Sequence, residues 1–117
     1  MVFWAALASV ALAQQQNFLA HEELKALLSS TRTVAFTAGT SARGTGIYSP
    51  DGIARLDGGT WSAKGTWRID GNRFCTTYPG IRRGYETCSN LQKTGENRYN
   101  LYFSTDGTKN GTWAIEK

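Results

Sequence analysis

Two cysteines, one histidine and an adjacent pair of arginines are the side chains of this 117-residue sequence best suited to chemistry. Cys75 and Cys88 enclose the segment "TTYPGIRRGYET", which carries Arg82 and Arg83 near its middle. A zinc site or a hydrolytic triad needs several ligating or proton-shuttling groups at defined spacing. His21 is the sole histidine and lies far along the chain from both cysteines, so no such set can be assembled around it. Asp51, Asp70 and Asp106 each precede a glycine, and turn formation accounts for all three. Glu86 and Asp57 would make a carboxylate pair only if the fold brought them together, and nothing in the spacing does so. The chain contains no phosphate-binding glycine loop, dinucleotide fingerprint, C-x-x-C or G-x-S-x-G. The residues therefore point to no catalytic group, no cofactor and no metal. A non-catalytic role is the first expectation and an enzyme of unfamiliar type the last.

Binding chemistry is easier to find. Arg82 and Arg83 sit where a hairpin tip is expected, and guanidinium forks grip carboxylate and phosphate. Arg68 and Arg73 extend that basic patch if their strands are neighbours. Lys and Arg outnumber Asp and Glu by 13 to 9, but the charges are scattered. The balance favours an acidic protein or anionic envelope component over nucleic acid. The sequence also holds four Trp, five Tyr and five Phe. Trp61, set between Gly-Gly-Thr and Ser, is the aromatic least tied to a strand and is a candidate to rim an opening for a small apolar ligand. Asn110-Gly111-Thr112 matches a glycosylation sequon, relevant only in a eukaryotic secretory route.

The compartment follows from the N-terminus. "VFWAALASVALA", residues 2–13, is apolar and ends in Ala-Leu-Ala, the small-x-small pattern cut by a signal peptidase. Twelve such residues fall short of the ~20 a membrane span needs. No Lys or Arg precedes the run, a departure from the usual signal. Residues 1–13 are expected to be removed, residues 14–117 to form one β-rich domain, and the location to be periplasmic or secreted. In such an oxidising compartment Cys75 and Cys88 are expected to form a disulfide.

The elements that position these groups read as one helix and about eight strands. "NFLAHEELKALLSS" places Ala20, Leu24, Leu27 and Leu28 on one face, predicting a helix over about 18–29 with Asn17 as its cap. Period-two runs follow from "TVAFTA" to "GTWAIE". Gly is frequent (13) and Pro scarce (2), as tightly turned strands require. "SPDG" at Ser49–Gly52 fits a type I turn. Asp70-Gly71, Asp106-Gly107 and Asn110-Gly111 read as further turns. The inward phase takes Trp67, Phe74, Tyr99, Leu101, Phe103, Trp113 and Ile115. The architecture expected is mainly β: a small antiparallel, calycin-like barrel or curved sheet, with the helix against it.

Asp70-Gly71 as a two-residue loop sets Trp67 opposite Phe74 on the core side. Arg68, Arg73 and Cys75 then share the other face. Pairing Cys75 directly with Cys88 sets Phe74 against Ser89, Thr76 against Thr87 and Tyr78 against Tyr85. Directly opposite residues meet the short Cα separation a disulfide demands.

"EELKALLSS", "IYSPDG", "GTWRIDGNRFC" and "YETCSNL" resemble, in order and layout, small exported proteobacterial proteins of unknown function. The likeness runs from about Leu19 to Ile115 and implies a signal peptide, a short helix and a two-cysteine β-domain. The G-x-W element is also lipocalin-like. The resemblance brings no catalytic residues with it. The function expected is an exported binding or interaction module. The alternatives are a periplasmic protein inhibitor or envelope-associated factor working through the arginine hairpin, and an enzyme.

Overall fold

The computed structural model describes residues 18–116; residues 1–13, expected to be an export signal, and Asn17 lie outside them. The described chain is one short helix, α1 (His21–Leu27), followed by eight strands: β1 (Arg32–Ala38), β2 (Ala42–Tyr48), β3 (Ile53–Asp57), β4 (Ser62–Asp70), β5 (Arg73–Thr77), β6 (Thr87–Gly95), β7 (Arg98–Phe103) and β8 (Lys109–Ile115). All neighbours pair antiparallel, and β1 also pairs with β8, so the sheet closes into a barrel. Closure removes the edge strands that an open sheet would leave exposed.

Alternation decides what fills the interior. Val34 and Phe36 of β1 point inward, as do Phe74 of β5, Leu91 of β6, Tyr99 and Leu101 of β7 and Trp113 of β8, all of them buried. Of the positions assigned to the inward phase from sequence, Phe74, Tyr99, Leu101 and Trp113 are buried, and Trp67 and Ile115 are partly buried against the core. Phe103 is only half-buried and lies outside that core, its ring beneath the Arg82 guanidinium, because it sits at the end of β7 next to the β5–β6 loop. Tyr48, Phe74 and Trp113 form a triangle of rings with centroids 5.0–5.3 Å apart, the spacing at which aromatic pairs attract beyond their area.

α1 closes one end of this barrel, with Leu19, Leu24 and Leu28 buried in the core. It is shorter than the 18–29 expected. Its N-cap position is Ala20, not Asn17, and the Ala20 N–H is satisfied by Glu23 Oε1 at 3.0 Å. The Leu19 N–H donates to the Leu91 carbonyl. The His21 N–H donates to Asn72 Oδ1, and His21 Nδ1 lies 2.8 Å from the Gly71 carbonyl. A ring nitrogen facing a carbonyl must carry the proton. The lone histidine thus ties the helix to the β4–β5 turn.

Three turn expectations are corrected. The β4–β5 loop is Gly71-Asn72, because Asp70 pairs with Arg73 and Ile69, not Trp67, stands opposite Phe74. Of the two loop residues only Gly71 has positive φ, 61°, whereas a type I′ turn needs both positive. The register moves by two, so every side chain keeps its face. Asn110-Gly111 is not a turn. It lies within β8, where the register with β7 shifts between Leu101 and Tyr102, and a bulge absorbs the extra residue. The β5–β6 ladder ends at Thr76 opposite Thr87, so Tyr78 and Tyr85 do not pair. The "SPDG" turn is as expected: the Gly52 N–H donates to the Ser49 carbonyl and the Ile53 N–H to Asp51 Oδ1.

Candidate functional site

The end of the barrel opposite α1 gathers four connections: the β1–β2 turn, the β3–β4 turn, the β5–β6 loop and the β7–β8 loop. A cavity of about 140 Å³ lies inside this end. Its walls are Phe36, Tyr48, Leu56, Phe74, Tyr78, Leu101 and Trp113, with Thr37, Thr76, Thr87, Ser89 and Asn110 interspersed, and Ile81, Arg82 and Tyr85 of the β5–β6 loop border it. Apolar walls with a few fixed polar atoms are the usual make-up of a small-molecule site.

Glycines make the room. Gly46 precedes Tyr48 by two on the inner face, and a Cβ there would meet the Tyr48 ring at 3.2 Å and its Oη at 3.1 Å. Gly65 plays the same part for Tyr78: a Cβ would meet Tyr78 Cδ1 at 2.8 Å and the Thr77 carbonyl oxygen at 2.0 Å. Both phenol rings therefore lie where smaller neighbours leave the wall thin.

The two phenols give the cavity its chemistry. The Tyr78 hydroxyl is buried and has no hydrogen-bond partner. Burial pushes its pKa up to about 12. Tyr48 is raised well above the usual phenol value, first by burial and then by Tyr78 beside it. The hydroxyls are close enough to perturb one another, yet no bond of good geometry joins them. A buried donor left unmade carries a desolvation cost that a ligand can offset.

The mouth is shaped by residues 78–86. Gly80, Arg82, Arg83 and Gly84 all have positive φ, with 50° at Arg82 and 58° at Arg83. Left-handed backbone at two consecutive non-glycine residues is strained. It folds the arginine side of the loop over the barrel end in a single short helical turn, Arg82–Gly84. The Arg82 guanidinium rests over the Phe103 ring, 4.7 Å from its centroid, a cation–π distance. Among the described residues no carboxylate pairs with Arg82 or Arg83.

Arg68 and Arg73 are placed differently. Arg73 pairs with Asp70, and Arg68 makes a two-pronged contact with Glu86 at 2.7 and 2.8 Å. Cys75 bonds Cys88 directly across the β5–β6 ladder, Cα to Cα 4.0 Å, on the outer face. Arg68 stands opposite Cys75 on the other side, so its reach to Glu86 crosses the disulfide. The Glu86 carboxylate and both sulfurs lie within 4.8 Å of one another. Bonded sulfurs offer no thiolate, so this cluster is a staple under an ion pair and not a metal centre.

Trp61 sits at the same end as the cavity but is not part of its wall. Its indole lies on Gly58, where a Cβ would come within 2.1 Å, and it meets Phe36 edge-on at 6.3 Å. Asn110 turns its amide inward, 3.5 Å from Ser89 Oγ, and lines the cavity; the sequon it belongs to is therefore not presented outward. Sequence reasoning named Asn110 only as a turn and sequon residue and Tyr78 only as a strand partner of Tyr85, and it assigned no cavity role to either or to Tyr48. The available signal was Gly46 two residues before Tyr48; the Tyr78–Gly65 contact needs the cross-strand register.

No helix among the described residues is long and apolar enough to cross a membrane. No family model, curated protein or solved structure matches this chain.

Proposed function

We propose that this chain is an exported, non-catalytic binding protein that holds one small, largely apolar molecule in the open end of its barrel. The observation that carries the reading is the cavity itself: aromatic walls enclosing a buried, unpartnered Tyr78 hydroxyl at one end, while α1 fills the other. A barrel of eight strands can either fill itself or hold one small ligand. The apolar N-terminal run and the disulfide support an exported setting. The test is native mass spectrometry of protein isolated from envelope extract, with a thermal-shift screen of small apolar compounds. Retained mass, or stabilisation by a screened compound, is expected; a bare protein with no stabilising compound rejects the reading.

A second reading uses the surface beside the mouth. Arg82 and Arg83 are exposed and free of acids among the described residues, which suits an inhibitor or envelope-associated factor docking on an acidic partner. Arg82→Glu with Arg83→Glu should then abolish capture of an acidic partner, whereas a partner still captured by the double variant rejects this second reading.

A further inference from the structure

We propose that the ligand is a single-ring aromatic acid, its ring against the packed cluster of Tyr48, Phe74 and Trp113 and its carboxylate between the Tyr78 hydroxyl and Arg82; this rests on the binding reading above. Size sets the first limit. A cavity of about 140 Å³ compares with the dry engineered cavity of about 150 Å³ known to accept benzene. One ring fits, whereas a fused pair or a long acyl chain does not. The wall chemistry sets the second. Three rings at centroid spacings of 5.0–5.3 Å offer both faces and edges to a fourth ring.

Charge sets the third limit. Arg82 is the one charged residue bordering the cavity, and no acid lines it. The strained backbone at Arg82 holds the guanidinium at the mouth. Its guanidinium carbon lies 4.7 Å over the Phe103 ring, and with no carboxylate paired to it among the described residues its N–H groups can turn to an oxygen acceptor. Tyr78 supplies a neutral donor inside, buried and without a partner. A cationic ligand would meet Arg82 with nothing to offset the repulsion. A neutral ring would leave one of the two donors unused.

The experiment is calorimetric titration of the full chain with benzoate, benzyl alcohol, benzylamine and octanoate. Benzoate should bind one to one, about tenfold or more tighter than benzyl alcohol, as expected for a charge-assisted contact. Benzylamine should not bind, and octanoate should bind more weakly than benzoate. Arg82→Gln should remove the advantage of benzoate over benzyl alcohol, and Tyr78→Phe should weaken both. Equal binding of benzoate and benzyl alcohol, unchanged by Arg82→Gln, overturns the acid while the binding reading stands. Tighter binding of octanoate overturns the single ring. If none of the four binds, this ligand class is wrong, and the binding reading falls with it only if the envelope-extract and thermal-shift screens are also blank.

Discussion

The ring of Tyr78 lies across the inner face of Gly65, so close that a methyl group on Gly65 would stand 2.8 Å from Tyr78 Cδ1 and 2.0 Å from the carbonyl oxygen of Thr77. The second contact is with backbone and cannot be relieved by turning a side chain. Gly65→Ala should therefore destabilise the barrel by about 1–3 kcal/mol, the range for overpacking a tight site. Chemical denaturation followed by far-UV circular dichroism measures this, and a loss below the resolution of that measurement would contradict the close approach.

Tyr78→Phe separates binding from stability. The hydroxyl is buried without a partner, and such a group costs about 1–3 kcal/mol. Removing it while keeping the ring should leave the protein as stable as before or more so, by about 1 kcal/mol. A fall in the denaturation midpoint would mean that the hydroxyl has a partner after all.

The raised phenols forecast a distinctive alkaline titration. Burial lifts Tyr78 to about 12 and Tyr48 well above its ordinary value. Their folded-state pKa exceeds the unfolded value of about 10, so the associated stability is present below pH 10. It is lost as the pH rises beyond that point. Absorbance at 295 nm should show part of the chain's five tyrosines ionising only together with loss of circular dichroism. Smooth ionisation of all five in the folded state would refute it.

Acid should act through Glu86. Its carboxyl is held below the usual range, chiefly by the hydrogen bonds from Arg68. A depressed pKa contributes stability above the unfolded carboxylate value, and that contribution disappears as pH falls through the folded one. The pair is partly exposed, so its worth is at most about 1 kcal/mol. Glu86→Gln should flatten the acid limb of the stability profile by this amount. Because the pair crosses the disulfide, Arg68→Ala should also speed reduction of Cys75–Cys88 by a small phosphine, read by thiol labelling against time.

Losing the disulfide is the larger change. Its sequence separation of 13 corresponds to about 3 kcal/mol in the chain-entropy account. Cys75→Ala with Cys88→Ala should lower stability by roughly that much while the barrel still forms, as measured by denaturation of the double variant against the oxidised parent.

Much of the architecture was legible from residue order. Period-two alternation identified all eight strands, and the cross-strand Cys75–Cys88 pairing placed β5 against β6 in the register observed. Facing survived even where the turn was misplaced, because the β4–β5 register moved by two and parity is indifferent to that. The helix was legible from its leucines, though not its capping residue.

Local order, by itself, determined which side of each strand is greasy and which sulfurs can meet, because alternation and cross-strand distance are properties of neighbouring residues. Only closure of the sheet decided that Tyr48 and Tyr78 share an interior with Trp113, that Asn110 turns inward at a bulge, and that Arg68 spends its charge on Glu86 while Arg82 keeps its own at the mouth. These relations join residues far apart along the chain. Their distances are set by how tightly the strands coil over bare glycine, and no local pattern encodes that curvature.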